Sequence, residues 1–327
     1  MVYRREGVLA DSRSLPAVAD LVEPLARRQR LKHRPLNLYY HAMLLPGVLL
    51  LLVFSYAPMA GLVIAFQKYS PVSGIVGSPF VGLGNFRTVL MFPDAGQVIY
   101  NTVLISVAKI LLSLVVPVLF ALILNECRTR WLKRSVQTIV YMPNFLSWVI
   151  VAAMFSNIFS LNGIVNMALK AFGLKETILF MASNAWFRPI VIFTDAWKNF
   201  GFTAVVYIAS ISGIDPNLYE AAEVDGADRR QKITFITLPC ILPTIVLMAT
   251  LSLRYIFEAG FEQIFNMYNP LVYKTVDILD TYVYRLGLVR LQYSLGTALG
   301  LFKSITSLVM IYAAYRLADR YAGYSIF

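Results

Sequence analysis

The chain is divided by six long apolar stretches that alternate with polar, charged segments. A helix needs about 20 consecutive, mostly apolar residues to cross the hydrocarbon core of a bilayer. One such stretch could be a buried core helix of a soluble protein, but six of them predict an all-α integral membrane protein with six transmembrane helices. The stretches lie near residues 42–66, 98–124, 136–160, 187–211, 234–257 and 296–317.

Composition and charge placement favour a membrane protein over a nucleic-acid-binding one. Of the 327 residues, 58% are hydrophobic and 14% are charged, whereas about 25% of the residues in a soluble domain are charged. The formal net charge of +11 would suit nucleic acid, but the basic residues lie mainly at the ends of the apolar stretches. That placement is the one that the positive-inside rule describes for membrane proteins.

The distribution of Lys and Arg predicts the orientation. Outside the apolar stretches, most of them lie in residues 1–40, in the loops after the second and fourth stretches, and in the C-terminal tail. Basic loops stay on the cytoplasmic side, so both termini are predicted to be cytoplasmic. An even number of spans agrees with this orientation.

We expect three parts along the chain: a basic N-terminal segment (1–38), a six-helix membrane domain (39–320) and a short cytoplasmic tail (321–327). The N-terminal segment mixes Arg with Asp and Glu and has no apolar core, so we do not expect it to be a signal peptide. Residues 11–34 suit either a basic amphipathic helix on the inner membrane surface or a solvated tail, and both readings stay open.

Residues 214–232, between the fourth and fifth stretches, have the features of two short helices joined at a glycine. Asp215 is a good N-cap and Pro216 suits the first position of the helix that follows. Gly226 fits a left-handed residue after that helix, where the chain turns sharply. A second helix is expected to start near Ala227 and to run into the fifth span, so that the segment projects from the cytoplasmic side.

One face of the first predicted helix is small and apolar. Leu218, Ala221 and Ala222 share this face by the i, i+3, i+4 spacing, and the two alanines permit close approach of another surface. An ordinary amphipathic connecting helix would satisfy the same spacing, so the spacing alone does not identify a docking helix.

A longer pattern around this loop is more specific. Residues 220–239 read EAAEVDGADRRQKITFITLP and resemble the conserved cytoplasmic loop of permease subunits of bacterial ATP-binding-cassette importers. The resemblance implies the type I importer permease fold, a place in the bacterial inner (cytoplasmic) membrane, and a role in transport rather than catalysis. The matching positions are Glu220, Ala221, Ala222, Gly226, Ile236, Leu238 and Pro239.

The resemblance also implies roles for individual residues. The helix around Glu220 would dock in a cleft of an ATP-binding subunit, with Glu220 facing a basic group and Gly226 keeping the elbow tight. Pro239 and Pro243 remove backbone donors at the start of the fifth span, so we expect either a hinge there or a bend that serves only packing. The apolar contact with the ATP-binding subunit would come from Leu218, Ala221 and Ala222.

Ionisable residues inside the predicted spans need a reason, because a charge near the bilayer centre is costly. Asp195 and Lys198 are three residues apart and could pair on one helix face, and Arg254 could snorkel to the outer interface. Alternatively, polar groups of the fourth and fifth spans line a water-filled path for the solute. The ionisable residues considered inside the predicted spans are Lys109, Asp195, Lys198, Arg254 and Lys303. The candidate pathway residues are Lys198, Asn199, Arg254, Glu258 and Lys109.

Two further segments narrow the resemblance to carbohydrate importers. The segments FEQIFNMYNPLVY (261–273) and DTYVYR (280–285) are similar to a branch that handles oligosaccharides or polysaccharide fragments, including alginate and other uronate-containing ones. Cations outnumber anions inside the predicted spans, which favours an acidic oligosaccharide as solute. A neutral oligosaccharide is the alternative, because ion pairs and waters could neutralise the excess.

A transporter of several subunits follows from the resemblance. One chain supplies one docking helix, the helix around Glu220, so a dimeric ATP-binding subunit needs a second, homologous permease. An extracytoplasmic solute-binding protein would deliver the solute. The chain has no G-x-x-x-x-G-K-[ST] phosphate loop, so ATP and Mg²⁺ are expected on the partner ATPase, and no cofactor or metal on this chain. A secondary transporter or channel would need no ATPase, and nothing in it would require the pattern from Glu220 to Pro239.

Overall fold

The computed structural model describes residues 34–322. The predicted N-terminal segment therefore lies largely outside the described residues, and so do residues 323–327 of the predicted tail. The described residues are mostly helical and contain no β-strand, although Gln67 and Phe80 form an isolated antiparallel bridge. The all-α class predicted from the sequence is confirmed.

The α-helices of the described part are numbered here in chain order. They are α1 (Arg34–Leu51), α2 (Gly74–Gly77), α3 (Gly84–Leu90), α4 (Ala95–Asn125), α5 (Arg130–Tyr141), α6 (Trp148–Ile158), α7 (Ile164–Ala171), α8 (Asn184–Ser212), α9 (Pro216–Val224), α10 (Arg229–Lys232), α11 (Leu238–Ser252), α12 (Phe261–Met267), α13 (Tyr273–Val276), α14 (Leu279–Tyr284) and α15 (Tyr293–Ala322). Short 3₁₀ or π-helical turns extend several of them.

The predicted spans fall on helix, except at a few edge residues and at residues 146–147, where the third span is interrupted. Four helical stretches of the described residues are long and apolar enough to cross a membrane, and a fifth candidate is added if Arg130–Phe145 and Trp148–Ile158, which meet at 104°, form one broken span. The predicted fourth span corresponds to α8, which has 29 residues but carries Arg188, Asp195 and Lys198. The number of spans therefore stays a prediction. Within residues 34–322, the stretches long and apolar enough to cross a membrane are Tyr39–Phe66, Ala95–Asn125, Arg229–Tyr255 and Tyr293–Ala313.

The chain separates into two compact units, residues 1–61 and 62–327. The described part of the first unit is α1 together with the helical turns that continue it. Its side chains from Tyr39 to Ala60 are exposed. A helix that is apolar all round is expected inside a membrane or a large core, so this helix has the character of a membrane span.

In the second unit, α4 and α8 pack along one another and bury side chains along most of their length. An apolar cluster around Phe187 and Ile264 joins these two helices to α6 and α12. A second cluster around Leu279 joins the start of α4 to α14 and α15. A third cluster, with Tyr207 and Ile241, joins α4, α8 and α11 near the loop that connects α8 to α11.

The backbones of α5 and α8 approach closely at one crossing. Gly201 of α8 lies against Val140 of α5, and a Cβ atom at Gly201 would overlap the Val140 carbonyl oxygen. A glycine is required for this approach, because any side chain would push the two helices apart. The crossing matters because α8 leads directly into the loop at 214–232.

Gly201→Ala is expected to lower the thermal stability of the protein, since overpacking at a tight contact costs about 1–3 kcal/mol. The measurement is the fraction of monodisperse protein that survives heating in detergent. Gly300→Ala in α15 is the matched control, because nothing lies within 4 Å of a Cβ atom at that position. Equal stability of the two variants would contradict the tight crossing.

Candidate functional site: an exposed docking loop and a polar interior

The loop between α8 and α11 (residues 214–232) is called the docking loop here, and its first helix forms as its sequence predicts. The Asp215 carboxylate accepts a hydrogen bond from the Asn217 backbone N–H at 3.0 Å, which caps α9 with Pro216 in its first turn. Gly226 has φ +77°, a left-handed conformation that costs glycine little. Local sequence signals therefore define both ends of α9.

The second helix of the loop begins later than predicted. It starts at Arg229 rather than near Ala227, because Asp228 acts as its N-cap. The Asp228 carboxylate accepts from the Gln231 N–H at 2.7 Å, and the Gln231 side-chain oxygen accepts from the Asp228 N–H at 2.7 Å. This capping box satisfies two backbone donors at once, and it fixes the point at which the chain turns toward α11.

Two side-chain contacts that sequence reasoning missed hold α9 against the segment leading into α11. The Tyr219 and Thr237 hydroxyls lie 2.9 Å apart, and the Lys232 ammonium donates to the Glu223 carboxylate at 2.6 Å. The hydrogen bond from Lys232 lowers the pKa of Glu223 below its usual value, so this carboxylate is ionised at neutral pH. Both pairs join residues of different helical segments, which periodicity within one helix does not reveal.

With these contacts made, α9 leaves a mostly apolar face uncovered. Leu218 is 47% exposed and Val224 is 88% exposed, and Glu220 and Ala221 are exposed beside them, whereas Ala222 is half-buried. Val224 was not among the predicted contact residues, although it lies three positions after Ala221 on the same face. A small apolar surface beside a carboxylate is suited to contact with another protein. We call this surface, formed by Leu218, Glu220, Ala221 and Val224, the docking face.

The start of the fifth span is irregular. Ile233–Thr237 forms a π-helical turn between α10 and α11, and Pro239 follows in the first turn of α11. Pro243 lies four residues further, inside α11. Proline cannot donate to the preceding turn, and π-helical turns often mark functional positions. The stretch that follows the docking loop therefore has fewer backbone hydrogen bonds to oppose bending than a regular helix has.

A buried polar network in the second unit corrects the predicted ion pair of α8. The Lys109 ammonium lies 3.3 Å from the Asp195 carboxylate, so Asp195 pairs across to α4 rather than with Lys198 on its own helix. Lys109 also donates to the Ala259 carbonyl oxygen at 2.6 Å and to the Gln263 side-chain oxygen. The packing of α4 along α8 brings the lysine to the carboxylate, and a buried charge without a partner would be costly.

Gln263 completes this network, and sequence reasoning missed it. Its side chain is fully buried, and its amide nitrogen donates to the Val191 carbonyl oxygen at 2.6 Å and to the Thr194 hydroxyl at 2.7 Å. Gly260, with φ +92°, precedes α12, and a Cβ atom there would lie 2.9 Å from the Lys109 ammonium. One amide group thus links α4, α8 and α12. The available signal was a glutamine placed among Phe and Ile residues of a short apolar segment.

Lys198 and Asn199 contact the segment that precedes α6. The Lys198 ammonium donates to the Asn144 carbonyl oxygen at 2.7 Å and lies 5.4 Å from the centre of the Trp148 ring. The Asn144 side-chain nitrogen donates to the Asn199 side-chain oxygen at 3.2 Å. Lys198 is therefore buried against a neutral carbonyl group and an aromatic ring, an arrangement in which the ring face stabilises the cation.

The remaining charges of the predicted spans lie elsewhere. Arg254 is exposed and contacts Tyr255 through the tyrosine hydroxyl and ring. Glu258 is exposed nearby in the sequence, and Lys303 of α15 pairs with Asp280 at 2.5 Å. The structure thus sorts the predicted pathway residues into three places: the buried network (Lys109), the contact between α8 and the start of α6 (Lys198 and Asn199), and the exposed end of the fifth span (Arg254 and Glu258).

Arg188 is a further charge inside the predicted fourth span, and sequence reasoning missed it. Its guanidinium donates to the Asn101 side-chain oxygen at 2.8 Å and to the Thr275 carbonyl oxygen at 2.9 Å. Asn101 in turn donates to the carbonyl oxygens of Lys274 and Asp277 at 3.1 and 3.2 Å. This second network fastens α13 to α4 and α8. The signal was present, because a charge inside an apolar stretch is expected to face the interior of the bundle.

Comparison with protein families identifies the chain. A family model described as binding-protein-dependent transport system inner membrane component matches residues 117–323. The matched range covers more than half of the 327 residues, and it contains the whole docking loop and the prolines that follow it.

Two relatives from Bacillus subtilis (strain 168) match most of the chain. The polygalacturonan/rhamnogalacturonan transport system permease protein YteP is 38% identical over 95% of this chain and 98% of its own length. Protein LplB is 36% identical over 88% of this chain and 91% of its own length.

Solved structures show the same fold. A chain in the crystal structure of a bacterial ABC transporter involved in the import of the acidic polysaccharide alginate is 40% identical, with a TM-score of 0.81 over 90% of this chain and 99% of that chain. The alginate transporter in complex with its alginate pentasaccharide-bound periplasmic protein gives 40% identity and a TM-score of 0.79. The predicted type I importer permease fold is confirmed. The chain belongs to the family of inner membrane components of binding-protein-dependent transport systems, and it is a multi-pass permease of the sugar ATP-binding-cassette importer type.

Proposed function

We propose that this permease passes an acidic, uronate-containing oligosaccharide, such as an alginate fragment, across the bacterial inner membrane. The observation that carries the proposal is the 40% identity to a chain of the alginate transporter over 90% of this protein. The relative named for polygalacturonan transport supports the same solute class, because polygalacturonan is also a polymer of uronic acids.

The charge balance of the interior supports an acidic solute. Lys109 and Lys303 each pair with a carboxylate of the same chain, so their charges are neutralised internally. Lys198 instead contacts a carbonyl oxygen and the Trp148 ring. A uronate carboxylate could exchange for the carbonyl contact of Lys198, and a sugar ring could stack against an aromatic side chain such as Trp148.

The proposed pathway wall follows from this arrangement. Lys198 and Asn199 contact the solute, and Arg254 and Glu258 meet it at the outer end of the fifth span. Lys109 acts indirectly, since its ammonium holds Asp195 and fixes the position of α8. The exposed charges of Arg254 and Glu258 and the buried ammonium of Lys198 suit a solute that carries both carboxylates and hydroxyl groups.

The proposed assembly contains a second, homologous permease, a dimeric ATP-binding subunit and an extracytoplasmic solute-binding protein. ATP and Mg²⁺ bind to the ATP-binding subunit, and this chain contributes the translocation path rather than catalysis. Both termini and the docking loop are cytoplasmic in this proposal. The docking face then presents Leu218 and Ala221 to an apolar cleft, while Glu220 faces a basic group.

The proposed mechanism is alternating access. Closure of the ATP-binding dimer moves α9, and the contacts of Tyr219 and Glu223 carry this movement to the start of the fifth span. Pro239 and Pro243 act as the hinge, because the preceding turn lacks their backbone donors. Rotation of the fifth span against α8 then opens the path on the opposite side of the membrane.

The solute class is tested by ATP hydrolysis of the reconstituted complex in liposomes. The complex receives the binding protein loaded with alginate oligomers or with neutral oligosaccharides of the same length. Alginate oligomers are expected to stimulate hydrolysis more strongly than neutral ones. Stimulation by neutral sugars alone would overturn the acidic solute, and solute flux without any ATP-binding subunit would favour a channel or secondary transporter.

Leu218→Asp and Ala221→Asp are each expected to reduce copurification of the ATP-binding subunit. A carboxylate buried in an apolar cleft is costly, and central contact residues are worth about 2–4 kcal/mol, so affinity should fall at least about 30-fold. Asn162→Asp is the matched control, since it adds the same charge to an exposed position in the loop between α6 and α7, away from the docking face. Equal loss in all three variants would contradict a specific docking face.

Lys109→Met is expected to destabilise the protein by about 3–5 kcal/mol, because it leaves the Asp195 carboxylate without its partner. The double variant Lys109→Met/Asp195→Leu should recover part of the loss in thermal stability, since no uncompensated charge remains. Full stability of Lys109→Met combined with lost transport would instead assign Lys109 to direct contact with the solute.

A further inference from the structure

We infer that α5 is an interfacial helix that binds anionic phospholipid headgroups of the cytoplasmic leaflet. The helix reads RWLKRSVQTIVY. At 100° per residue, Arg130 and Arg134 fall on one side, whereas Leu132 and Ile139 fall on the other. Amphipathic helices with basic residues and a Trp typically lie in the membrane interface. The inference rests on the proposed orientation of the chain and is independent of which solute is transported.

One strip of α5 is covered by the protein, and the remainder is uncovered. Val140 is half-buried at the crossing with α8. Trp131 is 76% exposed and Ile139 is 68% exposed, and Arg130 and Arg134 are exposed as well. The uncovered strip therefore has an apolar edge for acyl chains next to a basic edge for headgroups. We call this strip, formed by Arg130, Trp131, Leu132, Arg134 and Ile139, the interfacial strip.

The direction of α5 also fits an interface. The helical stretch Arg130–Phe145 makes an angle of 104° with Trp148–Ile158. The 3₁₀ turn Met142–Phe145 precedes the bend, and the Ser147 hydroxyl caps the following helix by accepting from the Ile150 N–H at 3.4 Å. If the axis of α6 runs along the bilayer normal, the 104° bend places α5 nearly parallel to the membrane surface. A helix in that position can present its whole interfacial strip to headgroups.

The contacts of the preceding turn place α5 at the same end of the bundle as the docking loop. The Glu126 carboxylate lies 4.0 Å from the Arg229 guanidinium, and α5 begins four residues after Glu126. The docking face must meet a cytoplasmic ATP-binding subunit in the proposed assembly. The interfacial strip therefore lies at the cytoplasmic leaflet, which carries anionic lipids.

Lipid satisfies the strip better than an acidic protein surface would. An acidic surface could pair with Arg130 and Arg134, but it would leave Trp131 and Ile139 facing water. An anionic leaflet accepts the apolar edge and the basic edge together. Each basic residue near such a surface strengthens the attraction roughly fivefold, so Arg130 and Arg134 dominate the preference for anionic over zwitterionic lipid.

The experiment uses the complete transporter, with its partner subunits, in nanodiscs. Bromine-labelled phosphatidylglycerol or bromine-labelled phosphatidylcholine is included at equal fractions, and the quenching of Trp131 is taken as the difference between the native chain and Trp131→Phe. Phosphatidylglycerol is expected to quench Trp131 severalfold more than phosphatidylcholine does. In the double variant Arg130→Gln/Arg134→Gln, the ratio of quenching by phosphatidylglycerol to quenching by phosphatidylcholine should fall close to one.

The matched control is Lys170→Gln/Lys175→Gln, which removes two exposed charges from the predicted opposite side of the membrane and should leave the ratio unchanged. Copurification of the partner subunits shows that each variant is folded. Equal quenching by both lipids in the native chain would overturn the preference for anionic headgroups. Protection of Trp131 from both lipids, relieved when the ATP-binding subunit is removed, would overturn the inference and assign the strip to a protein contact.

Discussion

The second unit depends on the neutralisation of one buried lysine. Lys109 of α4 meets Asp195 of α8 at 3.3 Å and the Ala259 carbonyl oxygen at 2.6 Å, while Gln263 bonds both the lysine and α8. Removing any partner would leave a largely buried polar group without its hydrogen bond or ion pair, which is costly. The same contacts that stabilise the packing therefore also fix the relative positions of the helices that flank the candidate pathway.

Because this network fixes the positions of α4, α8 and α12, a movement of the docking loop can be transmitted to the bundle. The loop is tied to the start of the fifth span by Tyr219 and by the ion pair of Glu223 with Lys232, but its outward face is uncovered. Immediately after it comes a π-helical turn and then Pro239. A firmly anchored helix, followed by a stretch with weakened backbone hydrogen bonding, is a suitable arrangement for passing a push from outside the bundle into one span.

The parts of the site that depend on residues close together in the sequence could be predicted, whereas those that depend on contacts between different helices could not. The ends of α9 were predictable because Asp215, Pro216 and Gly226 act on their immediate neighbours. The later start of α10 is also set locally, since Asp228 and Gln231 form a capping box, but the predicted start near Ala227 did not take this box into account. One of the two readings of Asp195, an ion pair with Lys198, is wrong, because the spacing to Lys198 describes one helix and says nothing about the lysine that α4 brings across.

The sequence by itself determined that this is a helical membrane protein and that it carries the docking loop of an importer permease. Those properties depend on the length of apolar runs and on short motifs, both of which act along the chain. Only the tertiary structure decided that Lys109 and Lys303 are neutralised internally, that Lys198 lies against Trp148, and that Gly201 permits the crossing with α5. These outcomes depend on which helix faces meet, and that is fixed by packing many residues at once rather than by any local pattern.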